Sequence, residues 1–84
     1  MQIAVRLFAI LKERAGVQSF TLELPDGCTA TDAADRIATA YPGIQSYLPK
    51  SAFAINRAYG NRQAILHDGD ELALIPPVSG GTER

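Results

Sequence analysis

Asp68-Gly69-Asp70-Glu71-Leu72-Ala73-Leu74-Ile75-Pro76-Pro77-Val78-Ser79-Gly80-Gly81 is the stretch on which the reading of this chain turns. His67 to Asp70 is a strong loop signal. Glu71 to Ile75 is a strand-like run, and it stops at a proline pair. Proline has no N–H and a fixed φ, so it cannot continue a central strand. A Pro-Pro pair instead favours a stiff, extended exit from the sheet. Two glycines without Cβ atoms then make the thinnest segment a polypeptide can offer. Such a tail suits a narrow channel that leads to another protein's active site. Gly81 is followed by Thr82-Glu83-Arg84. Any chemistry on the glycine carboxylate therefore requires their removal.

Working back from the tail, the rest of the chain supplies a sheet and one main helix. Residues 2–9 alternate, with Ile3, Val5 and Leu7 on one face and Gln2, Ala4 and Arg6 on the other, as in a half-buried strand. Phe8 falls on the polar face. Residues 10–15 read as a short helix that ends at Gly16. Residues 18–24 alternate again, with Phe20, Leu22 and Leu24 inward. The short connection predicts that these strands pair antiparallel.

Pro25-Asp26-Gly27 is a turn signal. Thr29 then reads as an N-cap, with Asp32 completing a capping-box pattern. Ala30, Ala33, Ala34, Ile37, Ala38 and Tyr41 form one apolar stripe at helical spacing. Pro42-Gly43 ends that helix, and Ile44 to Leu48 can add a helical turn. Residues 52–56 read as a strand, Asn61-Arg62 as a turn, and Gln63 to Leu66 as a short strand. The pattern predicts an α+β domain with one principal helix over one sheet face.

Composition narrows the function classes. The 84 residues carry eight basic and nine acidic side chains, for a net charge of -1. A single domain is expected. The balance gives no electrostatic case for nucleic acid. No apolar run is long enough for a transmembrane helix. Residues 1–11 carry Arg6 in mid-run and lack the layout of a signal peptide. A single Cys28 can form neither an internal disulfide nor a multi-cysteine metal site. A cytoplasmic protein without membrane association is the expectation.

Chemistry-bearing clusters are few. His67 is the only histidine, and it reads as a solvated loop residue; no metal site is expected. Cys28 lies near a helix N-terminus, where a thiol can be activated. A lone cysteine near a cap nevertheless reads as structural. The glycines at 27, 43, 60 and 69 are scattered turn glycines and form no phosphate loop. Asp68-Gly69-Asp70-Glu71 lacks the spacing of a calcium loop. Phe8, Tyr59 and Ile75 leave two readings open. They fill the edge of the core, or they form an exposed apolar patch beside the tail.

Several segments together resemble the sulfur-carrier family that includes the small subunit of molybdopterin synthase and, more distantly, the thiamine-pathway carrier. They are Val5-Arg6-Leu7-Phe8-Ala9, Leu11-Lys12-Glu13-Arg14-Ala15-Gly16, Ile55-Asn56-Arg57, Asp68-Gly69-Asp70-Glu71-Leu72 and Pro76-Pro77-Val78-Ser79-Gly80-Gly81. The resemblance spans residues 2–81, and the Pro-Pro-Val run favours the molybdopterin branch. It implies a β-grasp, ubiquitin-like fold with a mixed sheet of four or five strands. It implies a carrier domain over residues 1–81, a tail over 76–81 and an extension over 82–84.

By the same resemblance, an E1-like enzyme consumes ATP to adenylate the Gly81 carboxylate. A sulfurtransferase system then converts it to a thiocarboxylate. The tail enters the large catalytic subunit of a heterotetrameric molybdopterin synthase and donates sulfur to cyclic pyranopterin monophosphate. Gly80 is then the slender approach, Pro76 and Pro77 launch the tail, and Val78 and Ser79 line its path. Phe8, Tyr59 and Ile75 map to the docking patch. The chain itself would bind no cofactor, and the catalytic acids and bases would belong to the partner.

The extension beyond Gly81 departs from the family pattern. It stands as a pro-tail removed by a protease, as an added extension, or as the mark of a paralogue that forms no thiocarboxylate. Competing roles are sulfur carriage for tRNA thiolation, thiamine or cysteine synthesis, a ubiquitin-like protein modifier, and an interaction module without tail chemistry.

Overall fold

The computed structural model describes residues 1–77. Strand β1, Gln2–Leu7, places Ile3, Val5 and Leu7 in the core and leaves Gln2 and Ala4 exposed. Its alternation thus becomes two sheet faces. β1 leads through Phe8 into helix α1, Ala9–Ala15. The chain turns sharply at Ala9, whose φ of 51° lies in the left-handed region. Gly16, at φ 80°, closes α1 by donating its N–H to the Lys12 carbonyl. Only glycine takes that conformation without a Cβ penalty. Strand β2, Ser19–Glu23, then returns antiparallel to β1.

Helix α2, Ala30–Ala40, begins as its sequence predicts. The Thr29 hydroxyl accepts the Asp32 N–H, and the Asp32 carboxylate accepts the Thr29 N–H. Ala30, Ala33, Ala34 and Ile37 are buried, whereas Ala38 and Tyr41 are half-buried. A 3₁₀ segment, Pro42–Lys50, follows and buries Ile44 and Leu48. The expected short turn at Ile44 to Leu48 is therefore part of a longer element.

Strand β3, Ala52–Ile55, ends one residue before the expected limit. Asn56 and Arg57, at φ 52° and 71°, form a left-handed two-residue turn into a further strand, β4, Ala58–Tyr59. Tyr59 thus lies within a strand. The expected strand at Gln63 to Leu66 is not formed. Among the described residues its only ladder contact is a bridge between Thr29 and Ile65. The backbone of residues 62–64 serves the start of α2 instead. The carbonyls of Ala64 and Arg62 accept the N–H groups of Ala30 and Thr31. These are first-turn donors that a helix cannot satisfy internally.

Strand β5, Glu71–Ile75, lies in the middle of the five-stranded sheet, whose order is β2-β1-β5-β3-β4. It runs parallel to β1 and antiparallel to β3. Leu72 and Leu74 are buried in one core with Val5, Leu7, Ile37 and Phe53. A mixed sheet with α2 over one face is the β-grasp architecture. The arrangement puts this last strand at the centre, with Pro76 and Pro77 directly after it. Pro76 is buried and Pro77 exposed.

Candidate docking face and tail exit

The face of the sheet away from α2 carries the out-of-phase residues. Register sets its composition. Arg6 pairs with Ala73, Ala73 with Ala54, and Ala54 with Tyr59, which puts a cross-strand row on one face. Ala52 pairs with Ile75 one step nearer the tail. Arg6, Phe8, Ala54, Arg57, Tyr59, Glu71, Ala73 and Ile75 line one shallow cavity of about 410 Å³.

The two alanines are the floor of this cavity. Ala54 and Ala73 are only 6% and 9% exposed. Larger side chains at their margins form the walls. Phe8 is 36% exposed and Tyr59 77% exposed, while Ile75 is half-buried. The structure therefore brings Phe8, Tyr59 and Ile75 together although they are far apart in sequence. Of the two open readings, the geometry fits the exposed patch for Phe8 and Tyr59. Ile75 divides itself between core edge and patch. A clustered apolar patch with a polar border is the usual form of a docking surface.

The floor and the charged border of the cavity carry little signal in the sequence. Ala54 and Ala73 carry a signal only in their strand phase, as small residues on the outward face. Arg6, Arg57 and Glu71 lie in segments that carry the family resemblance, which assigns their side chains no role. In the fold, Glu71 lies between two guanidiniums, 3.7 Å from Arg6 Nη1 and 3.6 Å from Arg57 Nε. The Arg6 guanidinium also sits 5.4 Å from the centre of the Phe8 ring. That is cation–π range, and it helps hold Phe8 beside the cavity.

A polar clamp fixes the start of β5 beneath this face. Asn56 Nδ2 donates to Asp70 Oδ1 at 3.0 Å, and the Glu71 N–H donates to Asn56 Oδ1 at 2.9 Å. The Asn56 N–H reaches the Glu71 carbonyl at 2.8 Å. Asp70 Oδ2 accepts the His67 N–H at 2.8 Å. The hydrogen bond from Asn56 leads in holding the Asp70 carboxyl below its ordinary value, and the His67 N–H adds to it. Across the loop, Asp68 Oδ1 accepts the Gln2 N–H at 2.7 Å, and Gly69, at φ 88°, donates to the Gln2 carbonyl. The segments Asn56-Arg57 and Asp68-Gly69-Asp70-Glu71 are thus one tertiary unit. It joins β1, β3 and β5 and fixes the start of β5.

The remaining candidates stay apart from this face. His67 is exposed in its loop, 3.8 Å from Asp70. Cys28 is a half-buried free thiol. Among the described residues no group of three or more His, Cys, Asp or Glu side chains could hold a metal ion. Among them, too, no helix is long and apolar enough to cross a membrane. Val78, Ser79, Gly80 and Gly81, and the extension Thr82-Glu83-Arg84, lie outside the described residues.

Comparison with known proteins agrees with this architecture. The chain is 45% identical over 83 residues to the molybdopterin synthase sulfur carrier subunit of Chlamydomonas reinhardtii, covering 96% of this chain and 100% of that protein. The crystal structure of SAMP1 from Haloferax volcanii superposes with a TM-score of 0.89 at 30% identity, covering 96% of this chain and 100% of that one. A chain from the complex of subunits 1 and 2 of the molybdopterin-converting factor of Helicobacter pylori superposes with a TM-score of 0.67 at 28% identity, again covering 96% and 100%. The ThiS family model matches residues 5–81, from mid-β1 to the second tail glycine, and the chain belongs to the ThiS family.

Proposed function

We propose that this protein is the sulfur carrier subunit of a molybdopterin synthase. The observation that carries the reading is continuity. The apolar face around Ala54 and Ala73 leads along β5, through Ile75, to the Pro76-Pro77 exit. A partner that grips this face receives the tail in a set direction. The full-length likeness to the algal carrier subunit and the two-subunit assembly of the Helicobacter protein support the same reading.

The chemistry follows from the needs of an acyl group. In the sequence, the Gly81 carbonyl is tied up in a peptide bond to Thr82. Hydrolysis of that bond frees a carboxylate. The carboxylate oxygen attacks the α-phosphorus of ATP and expels pyrophosphate. Hydrosulfide then displaces AMP and leaves a thiocarboxylate; a persulfide donor gives an acyl disulfide, which a second thiol cleaves to the thiocarboxylate and a donor disulfide. Its sulfur is nucleophilic and remains tethered, so it reaches cyclic pyranopterin monophosphate inside the large subunit without loss as free sulfide. Activation falls to an E1-like adenylyltransferase, and sulfur supply falls to a sulfurtransferase system. This chain contributes the carrier and its address.

Ordering Val78 to Gly81 in a channel costs about 1–2 kcal/mol per residue in backbone entropy. Burial of the Phe8, Tyr59 and Ile75 face offsets that cost at about 25 cal/mol per Å² of apolar surface. Docking and tail insertion are therefore coupled. The test is reconstitution with a version ending at Gly81, its large subunit, the activating enzyme and a sulfur source. Molybdopterin formation is the expected result. A folded, docking-competent protein that carries sulfur but yields no product would transfer it to a different acceptor.

A second reading rests on the close superposition with SAMP1, a small archaeal modifier protein. The same activated glycine can be attacked by a lysine amine. Isopeptide conjugates of this chain in extracts of its host would favour that role.

A further inference from the structure

The border of the docking face carries an unbalanced charge. Glu71 lies between Arg6 and Arg57 and offers one carboxylate oxygen to each. Both separations exceed hydrogen-bonding length, so Glu71 is a nearby counter-charge rather than a bound acceptor. Among the described residues, neither guanidinium donates a hydrogen bond to a protein acceptor. Arg62 makes a clear contrast. It donates to the carbonyls of Leu48, Pro49 and Ser51 and stacks 4.3 Å from the Phe53 ring centre. Arg62 is a structural arginine, whereas Arg6 and Arg57 have donors to spare.

Arg6 and Arg57 flank the same cavity, and among the described residues Glu71 is the one carboxylate in its lining. The side chain of Arg57 is 82% exposed, that of Arg6 39%, and that of Glu71 only 25%. Two cations against one anion leave the border net positive. A guanidinium presents a planar fork of donors that matches a carboxylate.

We propose that this face selects a protein partner that seats an apolar side chain on Ala54 and Ala73 and sets an aspartate or glutamate against Arg57, with Arg6 in support. The proposal rests on the docking reading above and adds the partner's chemistry. Charge complementarity carries it: an acidic border on the partner is matched here, and a basic one is repelled. Glu71 then acts as an internal counter-charge that competes with the partner's carboxylate for the arginines. Charges at an interface border govern partner choice and salt dependence more than raw affinity.

The test is titration calorimetry of the protein against the molybdopterin synthase large subunit of the same organism, at low and high salt. Arg57→Glu should weaken binding by roughly tenfold at low salt, with the difference from wild type shrinking as salt rises. Glu71→Gln should tighten binding by roughly threefold at low salt, because it removes the competitor. A purely structural role for Glu71 predicts weakening or no change instead. Tyr59→Ala should weaken binding at either salt. Circular dichroism melts establish that each variant is folded. If Tyr59→Ala loses affinity while Arg57→Glu and Glu71→Gln match wild type, docking stands and the acidic-partner proposal falls. If wild type does not bind the large subunit, the docking reading fails and takes the proposal with it. A Tyr59-dependent self-dimer that competes with the large subunit would assign the face to a second copy and overturn the proposal.

Discussion

Asn56→Ala should destabilise the protein far more than its surface position suggests. Asn56 has φ 52° at the β3–β4 turn, a left-handed conformation that favours asparagine over alanine several-fold, or roughly 1 kcal/mol. Its side chain also bridges Asp70 and the Glu71 N–H. Each of these solvent-reachable bonds contributes about 1 kcal/mol net. The combined loss is about 2–3 kcal/mol, which lowers the melting temperature of a domain this size by roughly 10–20 °C. Asn56→Gly separates the parts, since glycine accepts the left-handed backbone but restores neither side-chain bond. It should be the milder change, by roughly 0.5–1 kcal/mol after its larger unfolded-state entropy is counted. Urea denaturation followed by circular dichroism measures both variants. An Asn56→Ala variant within about 0.5 kcal/mol of wild type would show that the clamp contributes little and refute this reasoning.

The clamp also predicts a pH dependence. The folded Asp70 carboxyl lies below its ordinary value, chiefly through Asn56. Its contribution is therefore fully present above the unfolded carboxylate range, near pH 4, and fades as pH falls through the lowered value. Asp70→Asn should flatten the acid limb of stability against pH, and an unchanged limb would count against the clamp. Thr29→Ala removes an acceptor from the capping box and should cost about 1 kcal/mol, read from the same urea midpoints. Tyr59→Ala should leave the melting temperature nearly unchanged, because the side chain is 77% exposed. It should nevertheless weaken large-subunit binding, which pull-down against a titrated partner measures.

The elements that could be read from sequence are those whose signals are local. The alternation of Ile3, Val5 and Leu7 needs only the two-residue period of a strand. The Thr29 and Asp32 capping box and the Gly16 stop depend on their immediate neighbours. The β3–β4 hairpin was hidden because Asn56-Arg57 is not a strong two-residue turn pair. Arginine in the left-handed region is unfavourable alone, and here tertiary hydrogen bonds to Asp70 and Glu71 hold its neighbour Asn56 in place. Gln63 to Leu66 misled in the opposite way. Ala64 and Leu66 alternate with polar or exposed neighbours as in a strand, but the backbone there caps α2 rather than extending the sheet.

The site followed the same division. Phe8 and Ile75 could be flagged because they break the phase of their strands. The alanine floor could not, since a small outward residue carries no signal until register places it beside Tyr59 and Arg6. Arg57 and Arg6 gain their meaning only from a shared neighbour, Glu71, which lies far along the chain from either. Long-range pairing, and not residue type, creates the charged border.

The central claim is that Gly81 carries sulfur. Intact mass spectrometry of the protein purified from its own host tests that claim most directly. The account predicts a species ending at Gly81, with a fraction heavier by one oxygen-to-sulfur exchange. A single species ending at Arg84 and lacking that exchange would contradict it.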